Sequence, residues 1–596
     1  MVVGECMLGE RGPQHGLFEA DTMYLKFVGP DTFYGFLAAH RDEIFRDEDY
    51  AKLYCLTNGR PSVPPSLLAI ALVLQTYDKV SDDEAKRRAD YDLQWKVALG
   101  VELDMRPFAK STLQEIRAQF VVHDEQRAIF QRSLELAKQQ GYFKGKPKLK
   151  VALDTTNILG RGAVKDTYNL LADGIVMVLR VLAKQAGEEL AGFAEREGFG
   201  RYVTDVSLKG QAEIDWSNAS EQRRFLQEIV ADADRLLERV RTARGHLEAE
   251  SPEDGALAEA AGLLSRVLAQ DIERKEDGAS LHDGVAQDRM PSVHDPETRH
   301  GRKSKSKQFD GHKADVAVDT DSQLITAVGI LDGNAPDAEQ ALARITETEA
   351  ATGCAVEVTI GDCAYGAGGT RKEFHDAKHT LVAKVPTMTN QGCFPKTDFT
   401  LDLDAQTCTC PAGHTTDDFH PAKKGGGVFH FAATVCGSCP LRAQCVRGHD
   451  GRSVSVHPQE ALLQDGRALQ ASPAFAEYRS RRQAAEHRIA RLVQLDIRQA
   501  RYVGHAKTLF QLAMAAAVAN LTLLMGRAHT DASSAPLIAV FLGLLGHLVA
   551  LATHRSALRT PPRPFATSKT DLRAPLLALL PCFPGPSNKR PFRPYF

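Results

Sequence analysis

The 596-residue chain has no Walker-type phosphate loop, so nothing in it points to nucleotide hydrolysis. It also lacks a large charge of either sign, with 73 Lys and Arg against 76 Asp and Glu, a formal net charge of −3. That balance excludes nucleic-acid binding driven by overall charge; any such binding has to rest on local basic patches that release counterions. Tryptophan is scarce, and Trp95 and Trp216 are expected to pack in cores. The opening residues MVVGECMLGERGPQ lack the apolar core of a secretory signal, so disulfides are not expected among the 11 cysteines. One near-unbroken apolar run, APLIAVFLGLLGHLVALAT at 535–553, borders on the roughly 20 residues that span a bilayer. It is short and has Pro536 near its start, so a buried or oligomerising helix is expected and a membrane location is not.

At 43% hydrophobic and 25% charged, a chain of this length can fill more than one core. Residues 1–146 are helix-patterned: prolines precede the apolar run of PSVPPSLLAIALVLQTY at 61–77, helical patterning continues over 82–100 and 111–143, and Gly141 offers a stop. A mostly helical stretch covers 165–305. DGHKADVAVDT and QLITAVGILDG, separated by 319–322, predict an antiparallel hairpin. A helix DAEQALARITETEA, a strand at 356–360, a helix around 371–377 and a strand near 380–385 complete a mixed sheet flanked by helices. GAGGT at 366–370 is expected to be a flexible loop. The tail after 553, rich in Arg and Pro and poor in acids, has the composition of a disordered segment.

Three acids stand at informative places. Asp154 ends the apolar run 149–153 and precedes the turn-prone Thr155, Thr156 and Asn157; Asp362 follows the β-branched run 356–360 and Gly361. Glu486 projects from what is expected to be one long amphipathic helix, with Tyr478, Arg482 and Ala490 at i, i+4 spacing beside an apolar stripe of Ala485, Ile489, Leu492 and Val493. A few carboxylates suffice to hold Mg²⁺, a hard cation that keeps several waters. Two such ions flanking a phosphate can drive an in-line displacement without a nucleophilic side chain.

The order Asp, Asp, Glu on strand, strand and helix resembles insertion-sequence DDE transposases, specifically the subgroup with a helical N-terminal domain before a ribonuclease-H-like catalytic domain. The matching text is FDGHKADVAVDTDSQLITAVGILDGNAPDAEQ at 309–340, GDCAYG at 361–366 and RYVGHAKTLFQLAMAAAVANL at 501–521, within a resemblance reaching from about residue 30 to about residue 525. The resemblance implies an α/β, ribonuclease-H-like mixed sheet flanked by helices. The helical domain 1–146 would bind DNA ends, a catalytic domain 147–526 would be interrupted by a helical insertion 165–305 and a Cys-rich insertion 387–475, and 527–596 would hold the apolar segment and tail. It further implies a bacterial, cytoplasmic, nucleoid-associated enzyme in which Asp154, Asp362 and Glu486 hold two Mg²⁺ ions, with Mn²⁺ as the alternative. Such an enzyme cuts transposon ends at terminal inverted repeats and joins the 3′-OH to target DNA, acting as a homodimer. One departure is visible in the signature Tyr-x2-Arg-x3-Glu-x6-Lys: Tyr478, Arg481 or Arg482, and Glu486 are present, but Val493 stands where the Lys that grips terminal DNA would fall, with Arg491 as the nearby substitute. The alternative functions are a structure-selective nuclease of the same fold and an inactive, element-derived DNA-binding protein. The three intact acids weigh against the latter.

Two basic patches are candidate DNA contacts: Arg302, Lys303 and Lys305 in RHGRKSKSK at 299–307, and the Glu486 helix, whose Arg479, Arg481, Arg482, Arg488, Arg491, Arg498 and Arg501 are expected to put positive charge beside the site, with Arg481, Arg482, Arg488 and Arg491 the expected contacts. His487 beside Glu486 is a further candidate, whereas Lys165, Asp166 and Asp319 are expected only to neighbour the site. Cys408, Cys410, Cys436, Cys439 and Cys445 form a dense set suited to a tetrahedral, structural Zn²⁺ site. Cys410, Cys436, Cys439 and Cys445 are the expected ligands, with Cys408 and His414 as substitutes.

Overall fold

A computed structural model of the chain describes residues 8–11, 19–54, 61–146, 148–248, 251–304 and 306–527; the apolar run 535–553, the tail and Lys305 lie outside them. Among the described residues, fourteen strands and a larger set of helices give a mixed α/β architecture. Its centre is β1, Lys148–Leu159, in which Leu149, Val151, Ala152 and Leu153 are all buried. A hairpin of β2, Ile272–Lys275, and β3, Gly278–Leu281, stands apart. The central sheet has β4, Arg299–Arg302; β5, Gln308–Asp319; β6, Ile325–Asp332; β7, Ala355–Ile360; and β8, Thr380–Val382. Its order is β4-β5-β1-β7-β8, with β6 also paired to β5. The β1–β5 and β5–β6 pairs are antiparallel and the β1–β7 and β7–β8 pairs parallel.

The hairpin of β5 and β6 turns as its sequence predicts, around Asp319, whose carboxylate accepts from the Ser322 N–H and hydroxyl. At Gly311 the backbone has φ +154° and passes so near β1 that a Cβ would stand 2.0 Å from the Ile158 carbonyl oxygen, so only glycine fits. β1 is longer than expected. Thr155, Thr156 and Asn157 do not turn but continue the strand, pairing with Asp315, Ala314 and Lys313 of β5. Two β-branched residues and an available antiparallel partner outweigh the local turn tendency.

The N-terminal region is helical, as expected. Pro65 stands at the start of the helix Pro65–Asp78, and the Ser81 side chain caps Asp82–Tyr91 by accepting from the Glu84 N–H. The expected helix over 82–100 is broken at Asp92, whose carboxylate caps a second helix, Leu93–Leu99. These helices do not form a separate core. Phe33, Trp95, Phe120 and Leu134 share one buried cluster with Leu153 and Val316 of the sheet and with Leu512, Ala516 and Leu521. The last three lie on the helix His505–Arg527, which by length and composition could cross a bilayer, yet 67% of its apolar window is buried in this core. On it, Asn520 accepts from the Ile325 N–H and donates to the Ile325 carbonyl, both at 2.9 Å, satisfying the open edge of β6.

The helical insertion has its own core, built by the helices Thr167–Ala186, Ala219–Arg244 and Pro252–Asp271, and Trp216 packs edge-on to Tyr168 there. Asp166 caps the first of these helices and Lys165 pairs with Asp173. β4, inside the expected insertion span, instead extends the central sheet. The Cys-rich insertion forms two small sheets: β9, Thr400–Asp402, β10, Thr407–Thr409, and β11, Thr415–Thr416, in one; β12, Phe419–Pro421, β13, Gly427–His430, and β14, Ser453–Val456, in the other.

Candidate active site

The parallel pairing of β1 with β7 ends at Ala152 opposite Ile360. Two residues further along each chain stand Asp154 and Asp362, and because side chains alternate with a period of two, the register turns both carboxylates the same way. Asp362 is still extended (φ −79°, ψ −167°) and caps the turn Cys363–Gly366 by accepting from the Ala364 N–H at 2.8 Å. Gly361 makes this turn possible: a Cβ there would stand 2.6 Å from the buried Tyr365 side chain. The helix Gly368–Asp376 then begins inside GAGGT, which is therefore not a flexible loop.

Glu486 comes from the other side of the pocket. The single long helix expected around it is two helices, Ala474–Arg481 and Gln483–Gln494, meeting at Arg482. Glu486 thus lies in a first turn, where the helix dipole favours a carboxylate. The apolar stripe behaves as predicted, with Ala485 and Leu492 buried and Ile489 and Val493 packed against the core.

Asp154, Asp362 and Glu486 line one pocket of about 630 Å³. Arg482 bridges two of them, 3.4 Å from Asp154 and hydrogen-bonded to Glu486. Burial pushes the Asp154 carboxyl up to about 6; the Thr155 N–H and Arg482 oppose the rise, and Asp362 and Glu486 add to it. Among the described residues, no three or more His, Cys, Asp or Glu side chains stand at metal-ligand spacing. Arg482 balances the charges of Asp154 and Glu486.

Of the expected DNA contacts, Arg302, Lys303 and Arg482 line the pocket. Arg488 does not: it is buried and donates to the Ala519 carbonyl at 2.9 Å, because it lies on the stripe that faces the core. Arg481 is paired with Asp321 at 2.6 Å, Arg491 bonds Gln494, and His487 is exposed outside the pocket. Asp315 is buried beside Arg344 at 3.5 Å, and Asp319 closes the hairpin; neither reaches the pocket.

Two of the charged lining residues, Lys313 and Asp337, were not foreseen. Lys313, directly across β1 from Asn157, donates to Asp337 at 2.7 Å, so the pocket holds a fourth carboxylate already neutralised. Arg498 donates to the Asn157 side chain at 2.5 Å and is fixed by backbone bonds from Leu159 N–H to the Arg498 carbonyl and from Ala500 N–H to the Leu159 carbonyl, both 2.8 Å. Lys313 reaches the pocket through its pairing opposite Asn157, which no strict alternation in HKADVAVD marks; Arg498 is expected beside Glu486 as part of its helix, but that helix ends at Gln494 and the chain's return to the end of β1 is what places it. At Val493, where no lysine stands, the pocket wall is apolar, and Arg498 also lines the pocket.

Comparison with known proteins places two transposase models on the chain. A transposase DDE domain model matches residues 409–525, which include Arg482, Glu486 and Arg498, and a transposase domain model (DUF772) matches residues 23–119, the N-terminal helices. No curated protein and no solved structure matches the chain. Asp154 and Asp362 lie outside both matched ranges, so their place in the site rests on the strand register. Two transposase models on one chain are consistent with an insertion-sequence DDE transposase, the family whose motifs the sequence carries.

Proposed function

We propose that the protein cuts the ends of an insertion sequence and joins the freed 3′-OH to target DNA, using Asp154, Asp362 and Glu486 to hold two Mg²⁺ ions on a ribonuclease-H-like sheet. The observation that carries this reading is the convergence of three carboxylates from β1, the end of β7 and a helix on one pocket that Arg302, Lys303, Lys313, Arg482 and Arg498 also line. Their hard oxygen donors fit Mg²⁺ or Mn²⁺, and the pairing of Asp154 and Glu486 with Arg482 is in keeping with a site that draws positive charge. When bound, the two ions would activate the attacking oxygen and stabilise the leaving one.

The chain's own residues do the rest. Arg302, Lys303 and Arg498 grip DNA phosphates around the scissile bond, and Asn157 holds the Arg498 guanidinium in place. Lys313 keeps Asp337 from adding a free negative charge where DNA must enter. Asp154 and Asp362 are fixed by the sheet, so alignment of the reacting atoms is inherited from strand register. The N-terminal helices bind the terminal repeats, and two copies bring two ends together.

The test is cleavage and joining of a duplex carrying the flanking terminal repeat with Mg²⁺, comparing the intact chain with Glu486→Gln. We expect joined products from the intact chain and a loss of at least about 10³-fold in the variant, the scale of a lost electrostatic stabiliser. Cleavage without joining favours a structure-selective nuclease, and equal activity in the two proteins removes Glu486 from the site.

A further inference from the structure

The Cys-rich insertion lies away from the carboxylate pocket, and its cysteines have no part in the proposed reaction. Its two sheets have strands of only two to four residues, and its core contains five fully buried side chains, Phe399, Cys408, Phe429, Phe431 and Val454. A core of this size is too small to hold a module of some sixty residues by apolar burial alone, and small modules of this kind are ordinarily stapled by a disulfide or a metal. All the cysteines described in the insertion are free.

Four of those thiols line one small cavity of about 20 Å³, and they come from three separate segments. Cys410 follows β10 in a tight loop, in which its N–H donates to the His414 carbonyl and Gly413 takes a positive φ of 86°. Cys436 and Cys439 lie on one turn after β13, with the Cys439 N–H reaching the Cys436 carbonyl. Cys445 ends the short helix Arg442–Cys445 ahead of β14. The Arg452 N–H donates to the Cys436 sulfur at 3.4 Å, the kind of outer bond that stabilises a sulfur ligand. Cys408, by contrast, is turned into the core and does not line the cavity.

We propose that Cys410, Cys436, Cys439 and Cys445 bind one structural Zn²⁺ that ties the two small sheets together. The thiols are not yet at metal-ligand spacing. The cavity they enclose is about the size of one water-sized sphere, so rotation of the four side chains toward it closes a tetrahedral sulfur site. Each thiol releases its proton to solvent as it binds, and the free energy of binding becomes folding free energy of the insertion. All four positions are taken by protein ligands, which makes the site structural.

The experiment uses the full chain purified from zinc-supplemented culture. Elemental analysis should find one zinc per chain, and exchange with Co²⁺ should give the intense thiolate-to-cobalt charge-transfer absorption and tetrahedral d–d bands of a sulfur site. Cys439→Ser should lose the metal and open 400–456 to protease, while Cys408→Ser should keep it. Absence of stoichiometric zinc, a cobalt spectrum without thiolate charge transfer, or full zinc retention by Cys439→Ser would each overturn the assignment. The cobalt spectrum of the intact chain decides the matter even if a variant fails to fold, and none of these readouts depends on DNA cleavage.

Discussion

The central sheet and the Cys-rich insertion are both β structures, yet they are held by different physics. β5 is buried through most of its length between β1 and β6 and is covered by the N-terminal helices and the helix His505–Arg527, so each of its residues is fixed by partners far away in sequence. The insertion has short strands, half-buried thiols and a core of five side chains, so its order is local. Carboxylates that must be aligned to within fractions of an ångström sit on the first kind of frame.

The largest expected effect tests that contrast directly. Leu153, buried on β1 next to Asp154, belongs to the shared core, so Leu153→Ala should cost about 3 kcal/mol and lower the main unfolding transition. Phe429→Ala removes a comparable side chain from the insertion core and should leave that transition in place while exposing 400–456 to limited proteolysis. If calorimetry shows the main transition falling equally in both variants, the two regions share one cooperative unit and the contrast is wrong.

A somewhat smaller effect follows from the charge that the central frame carries. The Asp154 carboxyl titrates near 6 in the folded chain against an ordinary value of 3.8, mainly because it is buried. Its neutral form is therefore the one the fold favours: its contribution to stability is complete below the unfolded value and is lost as pH rises through about 6. Asp154→Asn cannot ionise, so at pH 8 it should be more stable than the intact chain by up to about 3 kcal/mol, reduced by the lost attraction to Arg482, and the gain should vanish near pH 4. Denaturant unfolding at the two pH values measures it. A variant less stable at pH 8 than at pH 4, relative to the intact chain, means that Arg482 outweighs burial. No comparable penalty is expected in the insertion.

The smallest effect separates pocket from surface. Arg498→Ala should weaken binding to duplex DNA about tenfold and reduce the salt dependence by about one phosphate contact, whereas Arg491→Ala should change neither appreciably. Binding isotherms at several salt concentrations decide it, and equal losses in the two variants would mean that DNA follows the outer helix face instead of the pocket.

Much of the central sheet was legible because buried strands announce themselves as apolar, β-branched runs, as 149–153 and 356–360 do. The two aspartates and Glu486 could be picked out because each follows or interrupts such a pattern. What could not be seen depends on partners. Thr155–Asn157 has turn-like composition and becomes strand only because β5 lies beside it. The break at Arg482 interrupts an apolar periodicity that runs on unbroken, and Arg488 looks like its arginine neighbours until the helix is packed on Ala519. Periodicity likewise gives the N-terminal helices their apolar faces without saying that those faces meet the central sheet. Arg498 stands beside the site as its place among the arginines suggested, but through a backbone clasp to Leu159 beyond the end of the helix and not on the helix itself.

The pairing of Ala152 with Ile360 makes the site digital instead of graded. A slip of β1 by one residue would not displace Asp154 slightly; it would send it to the opposite side of the sheet and present a leucine or a threonine to the pocket. A change that shifts the register of this one strand therefore removes the pair of aspartates outright, where a change elsewhere that leaves the register intact keeps it.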